Sequence, residues 1–189
     1  MAAVTFSRRV LTGVVLIVGG ALLALAALLR LATAPGPEAA EIIVIIADLA
    51  IAAAFVLLAI DTASLAARIA LIVAAAGWLL FALGEIAGLP GDLGTVAALA
   101  AAGGALVAAI LMRRGSELGP IASIVFLVAT ILFAVLVFFQ ILGADLQGVG
   151  LLLTLLFAAG LVITGVLLAR PIGSRPVAER PVAEDRPLP

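Results

Sequence analysis

The sequence predicts an all-α, polytopic integral membrane protein: a six-transmembrane-helix bundle, oriented N-in/C-in. Three observations predict it. First, the 189 residues are 66% hydrophobic and only 11% charged, with a mean hydropathy of +1.44. A soluble domain carries about a quarter charged residues. So few polar groups cannot cover a globular surface, and the bilayer must be part of the solvent. Second, apolar runs of about 20 residues recur between short polar breaks, the length that crosses about 30 Å of hydrocarbon at 1.5 Å per residue. Third, these runs are continuous and rich in Ala and Leu. A closed barrel needs short alternating strands, so helix is the remaining way to satisfy a backbone inside lipid.

The first run, 10–32, follows "SRRVLTG" at 7–13, which looks like a twin-arginine export signal. The run is longer than the apolar region of a signal, and everything after it also spans the membrane. It therefore reads as a first helix or signal anchor. "APGPE" (34–38) stops it, and the second run, 42–60, carries Asp48 in its middle. Asp61, Thr62 or Ser64 can cap the third run, 66–88. "GLPGDLG" (88–94) leads into the fourth, 94–112. Pro120 sits at a first-turn position opening the fifth, 120–142, and the sixth is 149–169. No loop is long enough for a further domain. Residues 1–9 are a cytoplasmic N-terminus, 10–169 the transmembrane domain, and 170–189 a cytoplasmic tail. That tail contains "RPVAE" in tandem at 175–179 and 180–184. Prolines at this density predict an extended, disordered segment near anionic lipid heads. A partner-binding peptide is the alternative, though no PxxP spacing supports it.

Orientation follows from arginine, the only cation in the chain. With six spans, one side receives Arg8, Arg9, Arg68, Arg113, Arg114, Arg170, Arg175, Arg180 and Arg186, and the other only Arg30. The positive-inside rule then places both termini in the cytoplasm. The opposite face carries Glu38, Glu41, Asp92 and Asp145. The Ala-, Leu-, Val- and Gly-rich composition suggests a bacterial source, hence the bacterial cytoplasmic (inner) membrane.

Lipid offers no hydrophobic drive between helices, so small residues mark close approach. Gly84, Gly88, Gly103, Gly104 and Gly160 are the expected packing positions. The fourth run has no aromatic residue and is expected in the bundle interior. The fifth, with Phe126, Phe133, Phe138 and Phe139, is expected to show its bulk to lipid. Trp78 lies near mid-helix and is expected to pack within the bundle, with ligand stacking as the alternative.

Arg30, Asp48 and Glu85 are the ionisable side chains to weigh in the outward-facing parts of the apolar runs. With Gln140 and Thr154 they fall in the outer third of the bilayer and form a possible intramembrane polar cluster. Asp48 does not by itself require a role. An Asp at a helix centre costs about 2.5–3.5 kcal/mol on the insertion scale, and the twelve Ile, Val, Leu and Phe residues of its run return roughly 3.6–7 kcal/mol. In one reading Asp48 pairs with Arg30 or bonds neighbouring helices. In the other, Asp48 and Glu85 form a proton or cation relay or a small outward-facing site. Glu85, close to the boundary, also reads as a snorkelling interfacial residue.

The chain has no Cys, His, Tyr or Lys. Thiolate and imidazole chemistry and the usual zinc or haem ligands are thereby absent. No Gly-x-Ser-x-Gly, acid cluster or phosphate-cradling loop accompanies the remaining Ser, Thr, Asp and Glu. No enzyme, cofactor or metal site is expected. A net charge of −1 gives no field to attract nucleic acid. In length and span count the chain resembles small six-span bacterial membrane proteins such as the HdeD-type acid-resistance family. The resemblance is one of topology and carries over neither function nor residue. The expected function is that of a non-catalytic accessory or interaction subunit in contact with lipid, in a homo-oligomer or with another membrane protein. The alternative is a small proton- or cation-coupled transporter or channel using Asp48, with Glu85 as second acid and Arg30 as charge partner. Against the latter stand the absence of a mid-helix proline and of a buried acid in the second half.

Overall fold

A computed structural model describes residues 7–31, 37–88, 90–115, 117–143 and 147–170. Most of the 170–189 tail and part of the first loop, including Pro35 and Gly36, lie outside them. Among the described residues the chain is all helical: α1 (Arg8–Leu31), α2 (Pro37–Asp61), α3 (Leu65–Ala87), α4 (Gly91–Gly115), α5 (Pro120–Ile141) and α6 (Gln147–Ala169). Each is long and apolar enough to cross a membrane, which makes this a multi-pass membrane protein.

Local chemistry sets the helix ends. The Ser64 hydroxyl caps α3 by accepting the Ala67 amide at 3.4 Å, and Arg68 Nη2 donates to the Thr62 carbonyl at 2.9 Å. Gly88 ends α3 in the left-handed region at φ 61°, where its amide reaches back to the Gly84 carbonyl at 2.9 Å. That conformation favours glycine. Gly119, at φ 84°, turns the chain into Pro120 at the start of α5, as the first-turn proline predicts.

The six helices form a closed ring. Each packs on its neighbours in sequence, α1 closes on α6, and among the described residues no non-neighbouring pair comes into close backbone contact. Side chains fill the bore. Phe55 of α2 meets Phe126 of α5 edge-on, with centroids 6.0 Å apart. Further along, Trp78 of α3, Phe133 of α5 and Phe157 of α6 stack with centroids 4.6–5.9 Å apart. Counting from the ends where α2 and α6 stop and α3 and α5 start, the first layer lies at about 9 Å and the second at about 20 Å, at 1.5 Å per residue.

This arrangement corrects two expectations. Phe126 and Phe133 do not face lipid. They share one face of α5 with Ala122, Ala129, Thr130 and Val137 and are buried in the bore, whereas Phe138 is 59% exposed and Phe139 lies at the surface. Nor is α4 surrounded by the bundle. It is one stave of the ring, with Ala97, Ala101, Gly104 and Ala108 inward and Leu99, Val107 and Ile110 outward.

Glycines set the seams, but not all the expected ones. A Cβ on Gly104 would stand 2.6 Å from the Ala74 amide nitrogen and 2.7 Å from the Ala70 carbonyl oxygen. One on Gly160 would stand 2.5 Å from the Ala129 Cβ. Gly84, Gly88 and Gly103 have open space around that position, so they are not packing residues within the chain. The tight positions that composition alone does not single out are Gly13, Gly19, Gly20, Gly77 and Gly165. A readable signal existed, since Gly13 and Gly20, and the small residues Ala70, Ala74 and Gly77, or Ala97, Ala101, Gly104 and Ala108, recur at helical spacing along one stripe.

Candidate functional site

The expected polar cluster separates into two groups. Arg30 and Thr154 come together, lining a cavity of about 320 Å3 with Leu23, Ala26, Ala27, Val44 and Leu151 where α1, α2 and α6 meet. Asp48 lies one turn deeper than Val44 on the same face of α2 and is 4% exposed. It stands about 20 Å from the Asp61 end of its helix, level with the Trp78–Phe133–Phe157 stack. Arg30 and Glu85 are the charges whose fields reach it, and no hydrogen bond or ion pair joins Asp48 to either. The expected pairing of Asp48 with Arg30 is therefore one of proximity, not of contact. Glu85 and Gln140 are both exposed on the helix surfaces, so Gln140 does not take part in this cluster.

Buried hydroxyls in the spans are spent locally. Thr154 donates to the Gly150 carbonyl at 2.9 Å, Thr164 to Gly160 at 2.8 Å, Thr130 to Leu127 at 2.9 Å and Ser123 to Gly119 at 2.7 Å. Each bond stays within its own helix. Such back-bonding lets a hydroxyl reside in an apolar interior, and it engages each of these hydroxyl protons locally. The Trp78 indole N–H is buried and, among the described residues, has no partner.

Sequence reasoning did not single out a second cavity, of about 370 Å3, at the end where α1 begins. It gathers Arg8, Arg9, Asp61, Thr62 and Glu117 from three separate stretches of chain. Arg9 Nη2 donates to the Leu118 carbonyl at 3.2 Å, and Glu117 Oε1 accepts the Ser64 amide at 3.2 Å. In the sequence these residues look like ordinary positive-inside and loop residues. Only closure of α1 onto α6 and the path of the α4–α5 connection bring them together. Among the described residues no group of three or more carboxylates could hold a metal ion.

Comparison with protein-family models, with curated proteins and with solved structures returns no match. The functional reading therefore rests on the residues themselves.

Proposed function

We propose that this protein is a non-catalytic accessory or interaction subunit of the bacterial cytoplasmic membrane, with both termini in the cytoplasm. The observation that carries this reading is the filled bore. Two aromatic layers occupy the ring axis, and the buried hydroxyls are committed to their own helices. Little in the interior remains to conduct or react, so function falls to the outer surface. That surface includes Gly84 and Gly103 with open space beside them, a place where a helix of another subunit can come close. Absence of His and Cys from the chain supports the non-catalytic part. The orientation rests on the arginine distribution. Extraction in a mild detergent followed by native mass spectrometry tests the proposal. A defined complex, homo-oligomeric or with another membrane protein and weakened by Gly103→Leu, is expected; a lone monomer from such extraction argues against it.

One observation favours a second reading, a proton- or cation-coupled transporter. Asp48 lies one turn below a wall residue of the cavity that holds Arg30 and Thr154, and intramembrane acids are functional candidates by default. In this reading Asp48 couples the ion, Glu85 is the second acid and Arg30 the charge partner. Flux through proteoliposomes that disappears in Asp48→Asn would establish it.

A further inference from the structure

The seam between α4 and α5 holds a cavity of about 220 Å3, lined by Arg113, Pro120, Ser123 and Ile124. It lies where α4 ends and α5 begins, at the arginine-rich end of the ring and so at the membrane boundary. One wall is charged. Arg113 belongs to the last turn of α4 and is exposed, as is its neighbour Arg114. The other wall is the first turn of α5. Pro120 has no N–H, and the Ser123 amide donates to the Gly119 carbonyl at 3.0 Å. Between them the Ile121 and Ala122 amides meet no acceptor among the described residues, because Gly119 at the cap has no side chain to offer one. A helix start in this condition favours an anion, and here a guanidinium lines the same cavity.

An apolar ridge leads away from this charge. Ile124, Val128, Ile131 and Val135 succeed one another on one face of α5, and all four are exposed, at 37–50%. Ile124 is itself a wall of the cavity, so the ridge begins at the charged end and runs toward the membrane centre. From Ile124 to Val135 it covers about 16 Å, close to the hydrocarbon depth of one leaflet, about 15 Å. Its side chains are β-branched throughout, so a chain lying against them has few rotamers to freeze.

From this juxtaposition we infer that the α4–α5 seam holds one anionic phospholipid, its phosphate on Arg113 and the first-turn amides of α5 and an acyl chain along the ridge from Ile124 to Val135. Basic cavities between membrane helices bind headgroups of this kind, and a phosphate oxygen suits a guanidinium and a helix start together. A soluble phosphate would use the cavity and leave the ridge idle, whereas a phospholipid uses both. The inference is independent of whether the protein is an accessory subunit or a transporter.

The test is native mass spectrometry of the full chain in detergent, with phosphatidylglycerol and phosphatidylcholine of identical acyl chains added in equal amounts. One phosphatidylglycerol per chain is expected to be retained about fivefold over phosphatidylcholine, the scale of one arginine at an anionic headgroup. Arg113→Gln, at an exposed position, is expected to bring the two lipids to parity. Arg8→Gln removes the same charge from the same end of the ring, on a helix that packs on neither α4 nor α5, and is expected to keep the preference. Circular dichroism checks that both variants are folded, and the preference of the parent carries the test should either fail. No preference in the parent, or a preference that Arg8→Gln lowers as much as Arg113→Gln does, reduces the contact to diffuse surface charge and overturns the inference. Displacement of phosphatidylglycerol by an equal concentration of inorganic phosphate overturns it too, by making the occupant a soluble anion.

Discussion

Gly13 and Gly165 meet reciprocally where the first helix closes on the last: a Cβ on either would stand 2.5 Å from the carbonyl oxygen of the other. The second α-hydrogen of a glycine occupies that position, so each Cα–H points at the opposing carbonyl. Such contacts are worth about 0.5–1 kcal/mol each. They also fix the distance at which the ring closes.

Gly13→Ala and Gly165→Ala are therefore each expected to destabilise the protein by about 1–3 kcal/mol, the cost of overpacking a close seam. Gly103→Ala, where the added Cβ meets nothing, is expected to be neutral or stabilising by up to about 1 kcal/mol through helix propensity. Thermal unfolding in one detergent, followed by circular dichroism, compares the three. Equal destabilisation at all three positions would show that the seam does not depend on Gly13 and Gly165.

The six spans were legible because length and hydropathy decide them, and neither depends on what a helix touches. Helix rotation was not, for a physical reason. In lipid both the buried and the outward faces of a helix are apolar, so polarity no longer marks the core. Phe133 and Phe138 are chemically identical, and only the ring assigns one to the bore and the other to the surface. Gly104 and Gly103 are adjacent, yet one sits in the α3–α4 seam and the other in the open. The same limit scattered the candidate site. Depth placed Gln140 with Thr154, while rotation directs Gln140 to the surface. Trp78 was readable because a large amphipathic ring far from the membrane boundary has reason to be buried.

Trp78 stacks on Phe133 at 5.0 Å and on Phe157 at 5.9 Å, while its indole N–H has no acceptor among the described residues. The ring stabilises and the N–H does not. Trp78→Phe is expected to cost under about 1.5 kcal/mol, since it keeps most of the stack and removes the orphan donor. Trp78→Ala, which opens a cavity within the aromatic stack, is expected to cost about 3–5 kcal/mol. Unfolding midpoints of the two variants decide this, and equal losses would mean that the stack contributes little.

The absence of native cysteine makes single-cysteine labelling a clean test of orientation. Asp92 at the start of α4 and Arg114 at its end are both exposed. In intact cells Asp92→Cys is expected to react with a membrane-impermeant maleimide added from outside, and Arg114→Cys only after permeabilisation. The reverse pattern would invert the proposed orientation and move the Arg8–Glu117 cavity to the outer face.

Asp48 allows the two functional readings to be separated. The residue is 4% exposed and, among the described residues, no hydrogen bond holds its carboxylate, so as a structural element it is a liability. On the insertion scale, replacing an Asp at a helix centre by Leu gains about 3–4 kcal/mol. If the protein is an accessory subunit, Asp48→Leu and Asp48→Asn are expected to fold at least as well as the parent and to keep its complexes, with no change in proton flux through proteoliposomes under an imposed pH gradient. If Asp48 couples an ion, the parent carries flux and both variants lose it, most informatively when their unfolding temperatures have risen. A gain in stability with a loss of flux is the pattern of a residue retained for function against its structural cost. A gain in stability with nothing lost leaves Asp48 as a carboxylate that the twelve large apolar residues of its helix simply outweigh.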